Sequence, residues 1–168
     1  YDCINKILNN HKIHAPKLIK NSYNKNSIQI TDLGKKSVKN ILNNNNRYKI
    51  YKKIIDILIK FKKIKNTKTV NLNGKYYCMK KYNHNDLYKE ADLFNKWYTP
   101  YYDKKLTKPY QKKKIRKIIN NLIKKIKLPN NTFVHRDFHV SNMMYKNKKI
   151  YLIDSQDAVV GNPAYDLA

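Results

Sequence analysis

Residues 133–142 read Phe-Val-His-Arg-Asp-Phe-His-Val-Ser-Asn, and no other stretch constrains this chain as much. They contain His-Arg-Asp-x-x-x-x-Asn, the spacing of a loop that serves phosphoryl transfer. That chemistry needs a carboxylate to accept the proton of an attacking hydroxyl, and Asp137 fits. It also needs a neutral oxygen ligand for a magnesium ion one loop-turn later, and Asn142 fits. A second carboxylate for that ion should follow a β-hairpin, and Ile150-Tyr151-Leu152-Ile153-Asp154 supplies it. Two short apolar strands would carry these groups on rigid edges, with Asn147 in the turn between them. For a chain with 5 His, 3 Arg, 10 Asp and 24 Asn, a chance match has a likelihood below about one in a thousand. An incidental surface loop is therefore the weaker reading.

The flanking residues carry a resemblance. His139 stands two places after Asp137, and Asp154 is followed by Ser155-Gln156 where a protein kinase has Phe-Gly. His135 to Asn142, followed by Ile153-Asp154-Ser155-Gln156-Asp157-Ala158-Val159-Val160-Gly161-Asn162-Pro163-Ala164-Tyr165-Asp166-Leu167-Ala168, resembles the aminoglycoside phosphotransferase-like family of small-molecule kinases. Within it, Gln156-Asp157-Ala158 and Tyr165-Asp166-Leu167-Ala168 are most similar to the bacterial anomeric kinases of N-acetylmuramate and N-acetylglucosamine. The resemblance is dense from Thr132 to Ala168 and sparser upstream.

It implies an α+β, protein-kinase-like fold. Residues 1–34 would be the C-terminal remnant of a small lobe with its hinge, and residues 35–168 a mostly helical large lobe with the catalytic and metal loops. ATP would be the phosphoryl donor, with Mg2+ held by Asn142 and Asp154. Asp137 would be the base, His135 and Arg136 would brace its loop, and His139 would contact phosphate or tie the loop to the lobe. The backbone of Thr31, Asp32 and Leu33 would meet the adenine edge. Gln156 and Asp157 would reach the metal's water shell or the sugar. Asp166 is read as structural support, as a cap or a brace for the catalytic loop. The glycine-rich phosphate loop, the strand lysine and its helix glutamate would all precede Tyr1. The chain has no initiator Met and stops where a helix is expected to begin, so it reads as an interior piece, expected to be inactive alone.

The net charge of +26 invites a nucleic-acid reading. The basic residues are 34 Lys against only 3 Arg, whereas a sequence reader favours the planar fork of Arg. The Lys are dispersed through amphipathic segments, as on a solvated surface. No specific nucleic-acid partner is expected, although such a surface binds polyanions at low salt. Cys3 and Cys78 are isolated and read as reduced thiols, compatible with a cytoplasmic protein. No apolar run approaches the ~20 residues needed to span a membrane.

In chain order, Ile4, Ile7 and Leu8 share a helical face that ends near His11-Lys12, with Pro16 beyond it. His11 and His14 are read as loop histidines rather than ligands. Lys17–Lys20 and Ser27–Thr31 read as strands leading into Thr31-Asp32-Leu33-Gly34. Ser37–Asn43 is a short helix, and Ile50, Ile54, Ile57, Leu58 and Phe61 mark a longer one. Residues 62–81 show only a turn at Asn73-Gly74. In residues 82–98, Leu87, Glu90, Ala91, Phe94, Trp97 and Tyr98 fall on or near one face, and Pro100 ends that helix. By resemblance this helix walls the acceptor side, which makes Glu90, Trp97 and Tyr98 candidate substrate contacts; a packed core stripe is the competing reading. Ile115, Ile118, Ile119, Leu122 and Ile126 mark a helix over 110–128.

The acceptor implied is the anomeric hydroxyl of N-acetylmuramate or N-acetylglucosamine. A choline- or aminoglycoside-type kinase is the alternative; few carboxylates outside the motif favour a neutral or anionic sugar over a cation. A basic RNA-binding domain with a degenerate loop is the reading from another class.

Overall fold

The computed structural model describes residues 1–65, 67–71, 73–127 and 129–167. Leu128, the end of the expected 110–128 helix, and Ala168, the end of the Tyr165–Ala168 motif, lie outside them. The chain forms two compact units, residues 1–81 with 131–168, and residues 82–130. Residue 34, the expected lobe boundary, falls inside the first.

In the first unit, α1 (Asp2–Asn10) buries Ile4, Ile7 and Leu8 as their spacing predicts. Lys12 takes a left-handed φ of 59°, so Ile13 N–H reaches the Leu8 carbonyl at 3.0 Å and Lys12 N–H reaches that of Asn9 at 3.1 Å. These paired bonds stop the helix at its own last carbonyls, before Pro16 is reached. Strands β1 (Leu18–Ser22) and β2 (Ser27–Ile30) pair antiparallel. Helix α2 (Val38–Ile41) is capped by the Ser37 hydroxyl, which accepts from Asn40 N–H. Helix α3 (Arg47–Lys63) buries Ile50, Ile54, Ile57 and Phe61, with Leu58 half-buried beside them. β3 (Lys68–Val70) and β4 (Tyr76–Cys78) form a hairpin, of which only the turn is legible in the spacing. Lysines obscure the alternation there, and Gly74, with φ 74°, makes the turn.

The second unit opens with α4 (His84–Ala91), whose Asn83 and Asp86 form a capping box. The expected helix to Tyr98 is present but not regular: the backbone stays right-handed helical through Asp92 and Leu93, and the hydrogen-bond period changes beyond them. The chain passes into a π-helical segment, Phe94–Tyr98, followed by α5 (Thr99–Tyr102). Pro100 therefore sits in the first turn of a helix and does not end one, because its missing N–H has no intrahelical role there. Helix α6 (Pro109–Lys124) follows. Its buried apolar residue is Ile123, while Ile118, Leu122 and Ile126 are exposed. The face thus runs along Ile115, Ile119 and Ile123, one step round from the expected stripe.

Back in the first unit, β5 (Thr132–Val134) pairs antiparallel with β8 (Val159–Gly161). Gly161 lies within that strand, which ends before Asn162-Pro163. Between them, β6 (Met143–Lys146) and β7 (Lys149–Leu152) form a hairpin. Asn147 and Lys148, with φ of 50° and 60°, make its two-residue turn of the hand that matches strand twist. The core joins α1, α3 and these strands. Phe61 of α3 lies 4.7 Å from Phe133 and 5.3 Å from Phe138, ring centre to ring centre.

Candidate active site

The loop from His135 to Asn142 is fixed by an alternation of buried and exposed residues. Phe133, Val134 and His135 are buried, Phe138 is half-buried against Phe61, and Asp137 and His139 are exposed. Apolar packing holds the loop from below while Asp137 and His139 face water. Arg136 has a left-handed φ of 74°, a conformation that costs a non-glycine residue on the order of 1–2 kcal/mol. The compensation is visible in Asp166. Its carboxylate accepts the N–H of His135 at 2.7 Å and of Arg136 at 3.0 Å. Asp166 lies in a single 3-10 turn, Tyr165–Leu167. Burial pushes its pKa up, against the two N–H groups, which pull it down.

His135 is fully buried, and neither ring nitrogen completes a hydrogen bond of normal geometry among the described residues. Burial holds its pKa below the usual histidine value, outweighing the upward pull of the Ile153 backbone, Asp137 and Asp154. Its ring packs near Phe138, at 6.1 Å between centres, so it acts as a neutral wedge under the loop.

Asp137 is held at both oxygens. Asn142 Nδ2 donates to Oδ2 at 2.7 Å, and His139 Nε2 lies 3.0 Å from Oδ1. Asn142 Nδ2 also reaches the Asp137 carbonyl at 3.2 Å, and Asn142 N–H bonds the His139 carbonyl at 2.9 Å. A carboxylate can only accept, so this end of the amide is the NH2 group and Oδ1 is left for another partner. Each carboxylate oxygen has more than one acceptor direction, so a substrate hydroxyl can still be received.

Asp154 follows β7 with a left-handed φ of 61°. Met143 pairs with Leu152, and Ile153 N–H continues the ladder to the Asn142 carbonyl at 3.0 Å. Asn142 and Asp154 therefore stand at the same end of one hairpin. That hairpin is clamped on both edges: Leu152 N–H bonds the His14 carbonyl and Tyr145 N–H the Lys36 carbonyl, each at 2.8 Å. Gln156 Nε2 donates to Asp154 Oδ1 at 2.6 Å, while Asp157 is exposed in the next turn. One amide oxygen and one carboxylate fit Mg2+, which keeps several waters and takes other ligands from substrate phosphates. Among the described residues, no three His, Cys, Asp or Glu side chains cluster as a metal cage.

Thr31 N–H bonds the Lys17 carbonyl at 2.9 Å, and its hydroxyl accepts from Lys17 N–H at 2.7 Å. Asp32 Oδ1 accepts Gly34 N–H at 2.7 Å, and Lys146 of β6 donates to the Asp32 carbonyl at 2.8 Å. The turn at 31–34 and the β6–β7 hairpin are thus directly joined, a link carried by one lysine among many and invisible to spacing. His11 Nδ1 lies 2.8 Å from the Ile7 carbonyl, and the His14 ring is tilted against that of Tyr151 at 5.1 Å between centres.

Glu90, Trp97 and Tyr98 belong to the second unit. Glu90 bonds the Tyr82 hydroxyl. Trp97 and Tyr98 are exposed, so the packed core stripe does not form. Phe94, Tyr98 and Tyr102 instead stack in a surface ladder, with centres 4.9 and 5.1 Å apart.

A family model, the phosphotransferase enzyme family, matches residues 4–168. The chain belongs to that family. One curated relative of this phosphotransferase-family chain is the N-acetylmuramate/N-acetylglucosamine kinase of Pseudomonas aeruginosa. It is 24% identical over 155 residues, covering 92% of this chain and 43% of its own length. The chain spans less than half the length of the curated relatives it matches. A solved aminoglycoside phosphotransferase, APH(2'')-Ib with ADP bound, aligns with a TM-score of 0.57 at 17% identity, covering 96% of this chain and 55% of that one. The streptomycin–ATP ternary complex of APH(2'')-IIa aligns with a TM-score of 0.53 at 19% identity, covering 97% and 56%. The fold is accordingly that of the aminoglycoside phosphotransferases, α+β and protein-kinase-like.

Proposed function

We propose that this chain carries the catalytic loop and metal loop of an ATP-dependent phosphotransferase acting on the anomeric hydroxyl of an N-acetylated amino sugar, N-acetylmuramate or N-acetylglucosamine. The observation that carries the phosphotransferase reading is Asp137 gripped by Asn142 and His139 beside a hairpin that ends on Asp154. The acceptor reading is supported by the name of the Pseudomonas relative and by the Gln156-Asp157-Ala158 stretch.

Asp137 receives the acceptor hydroxyl's proton as its oxygen attacks the γ-phosphorus in line. Asn142 and His139 keep that carboxylate from rotating, so the accepting lone pair is aimed before substrate arrives. Asn142 and Asp154 would hold a magnesium ion, and Gln156 donates to the Asp154 carboxylate. The chemistry such an ion would supply there is neutralisation of phosphate charge in the loose transition state. His135, Arg136 and Asp166 shape the loop without touching substrate. With Thr31 N–H engaged by Lys17 and the Asp32 carbonyl by Lys146, the adenine edge is assigned to the Leu33 backbone. Residues 1–34 are assigned to the small lobe and hinge, residues 35–168 to the large lobe, and the protein to the cytoplasm. No helix among the described residues is long and apolar enough to cross a membrane.

The test uses the complete protein with ATP, Mg2+ and a panel of acceptors. N-acetylmuramate or N-acetylglucosamine should be consumed and the 1-O-methyl glycoside should be inert. The aminoglycoside phosphotransferases among the structural neighbours support a second acceptor class. Activity on kanamycin or choline, with none on either sugar, would move the assignment there.

A further inference from the structure

Asn5 of α1 and Ser155 are 150 positions apart in the chain, yet the Ser155 hydroxyl donates to Asn5 Oδ1 at 2.6 Å. Both residues are closed to solvent, at 2% and 0% exposure. Asn5 Nδ2 is also buried and has no hydrogen-bond partner among the described residues. A buried amide with an unmet donor costs on the order of 1–3 kcal/mol, and a half-satisfied polar pair is a poor way to fill a core. The pair must therefore do something that two apolar residues could not.

What it does follows from its neighbour. Asp154 sits in the left-handed region, φ 61°, and something must hold it there. On its N-terminal side, Ile153 N–H is fastened to the Asn142 carbonyl. On its C-terminal side, the Ser155 carbonyl accepts Ala158 N–H at 3.1 Å and the Ser155 side chain is fastened to Asn5. Helix α1 is itself immobilised. Asn9 Nδ2 donates to the Asn5 carbonyl at 2.9 Å and to the Ala15 carbonyl at 3.1 Å, and Ala15 N–H returns to Asn9 Oδ1 at 3.3 Å. The preceding residue, His14, accepts from Leu152 of β7. The hydrogen bonds close a circuit from β7 through His14, Ala15, Asn9 and Asn5 to Ser155, and the chain carries it through Asp154 back to β7.

We propose that Asn5 is a positioning residue that acts through the buried hydroxyl of Ser155 to aim the Asp154 carboxylate at a divalent cation. This rests on the reading of Asp154 as a metal ligand. Supporting groups of this kind change metal affinity by about 10–100-fold when removed. Displacement of α1 would move Ser155, so the circuit couples the helix to the metal loop.

The experiment measures Mn2+ binding by electron paramagnetic resonance in the complete protein, with a non-hydrolysable ATP analogue present, and metal-free nucleotide affinity in parallel. Ser155→Ala removes only the hydroxyl, and Asn5→Leu removes the acceptor. Each should weaken Mn2+ binding about tenfold with metal-free nucleotide affinity unchanged, and the double variant should be no weaker than either single one. Asp154→Ala separates the two ideas. If it leaves Mn2+ binding intact, the metal-ligand reading fails. If it abolishes Mn2+ binding while Ser155→Ala binds as wild type, the positioning role is overturned. Should Asn5→Leu fail to fold, Ser155→Ala decides alone.

Discussion

Asp166 stands 31 residues beyond His135 in the chain and accepts its backbone N–H at 2.7 Å. Its other carboxylate oxygen takes the next N–H, that of Arg136, at 3.0 Å. One side chain thus closes two consecutive donors at the point where the 135–142 loop turns left-handed. Asp166→Ala should destabilise the protein by about 2 kcal/mol, the cost of leaving buried donors unmet, and should lower turnover more than it raises the KM for nucleotide. Asp166→Asn keeps one accepting oxygen and should recover part of the melting temperature. Equal melting temperatures for wild type and the alanine variant would remove the brace.

Asp137→Asn keeps the shape but replaces an accepting oxygen with an NH2 group facing His139 or Asn142. Turnover should fall by roughly 10²–10⁴-fold, the range for losing a general base, with melting temperature and nucleotide affinity little changed. A variant retaining wild-type phosphorylation of every acceptor tried would disprove the assignment.

Asp154→Ala should abolish magnesium-dependent nucleotide binding, and Asn142→Ala should raise the magnesium requirement. Calorimetric titration of ATP with and without metal reads both. Identical metal dependence in wild type and the two variants would exclude these residues from the metal shell.

His135 supplies a pH test. Its folded pKa lies below the free histidine value of 6.5 because it is buried. The unfolded chain therefore binds more protons, and stability falls as pH drops below about 6.5. Asp166, with a raised pKa, works in the opposite sense: its neutral form is favoured by folding, so its contribution is lost as pH rises through its folded value. Denaturant unfolding between about pH 5 and 7 should show the His135 slope, to which His14, its pKa also lowered by burial, adds in the same sense, and His135→Leu should reduce it. An unchanged slope in that variant would place the pH dependence elsewhere.

Phe138→Ala should cost about 2 kcal/mol, less than a fully buried phenylalanine because the ring is half-exposed. Since the ring anchors the loop on Phe61, the variant should also lose turnover. Full activity with reduced stability would show that the loop keeps its shape without that anchor.

Local spacing along the chain dictates several parts of this structure. The loop residues Asp137, His139 and Asn142 lie within six consecutive positions, and two apolar strands with Asn147 between them dictate a hairpin ending at Asp154. Helices α1 and α3 were legible because their apolar residues recur at helical spacing. Local spacing failed where the competing choice lay elsewhere in the chain. The π-helical turn after Ala91 breaks the period on which the 82–98 stripe depended, and α6 buries Ile123 instead of Ile118 or Leu122 because packing selects the face. Tertiary structure alone decided the links of Asp166 to His135, Lys146 to the Asp32 carbonyl and Asn5 to Ser155. A hydrogen bond between side chain and backbone, or between two polar side chains 150 residues apart, leaves no period in the sequence. It forms only when the core has brought the two segments within about 3 Å, and that core is the collective product of every apolar residue packed into it.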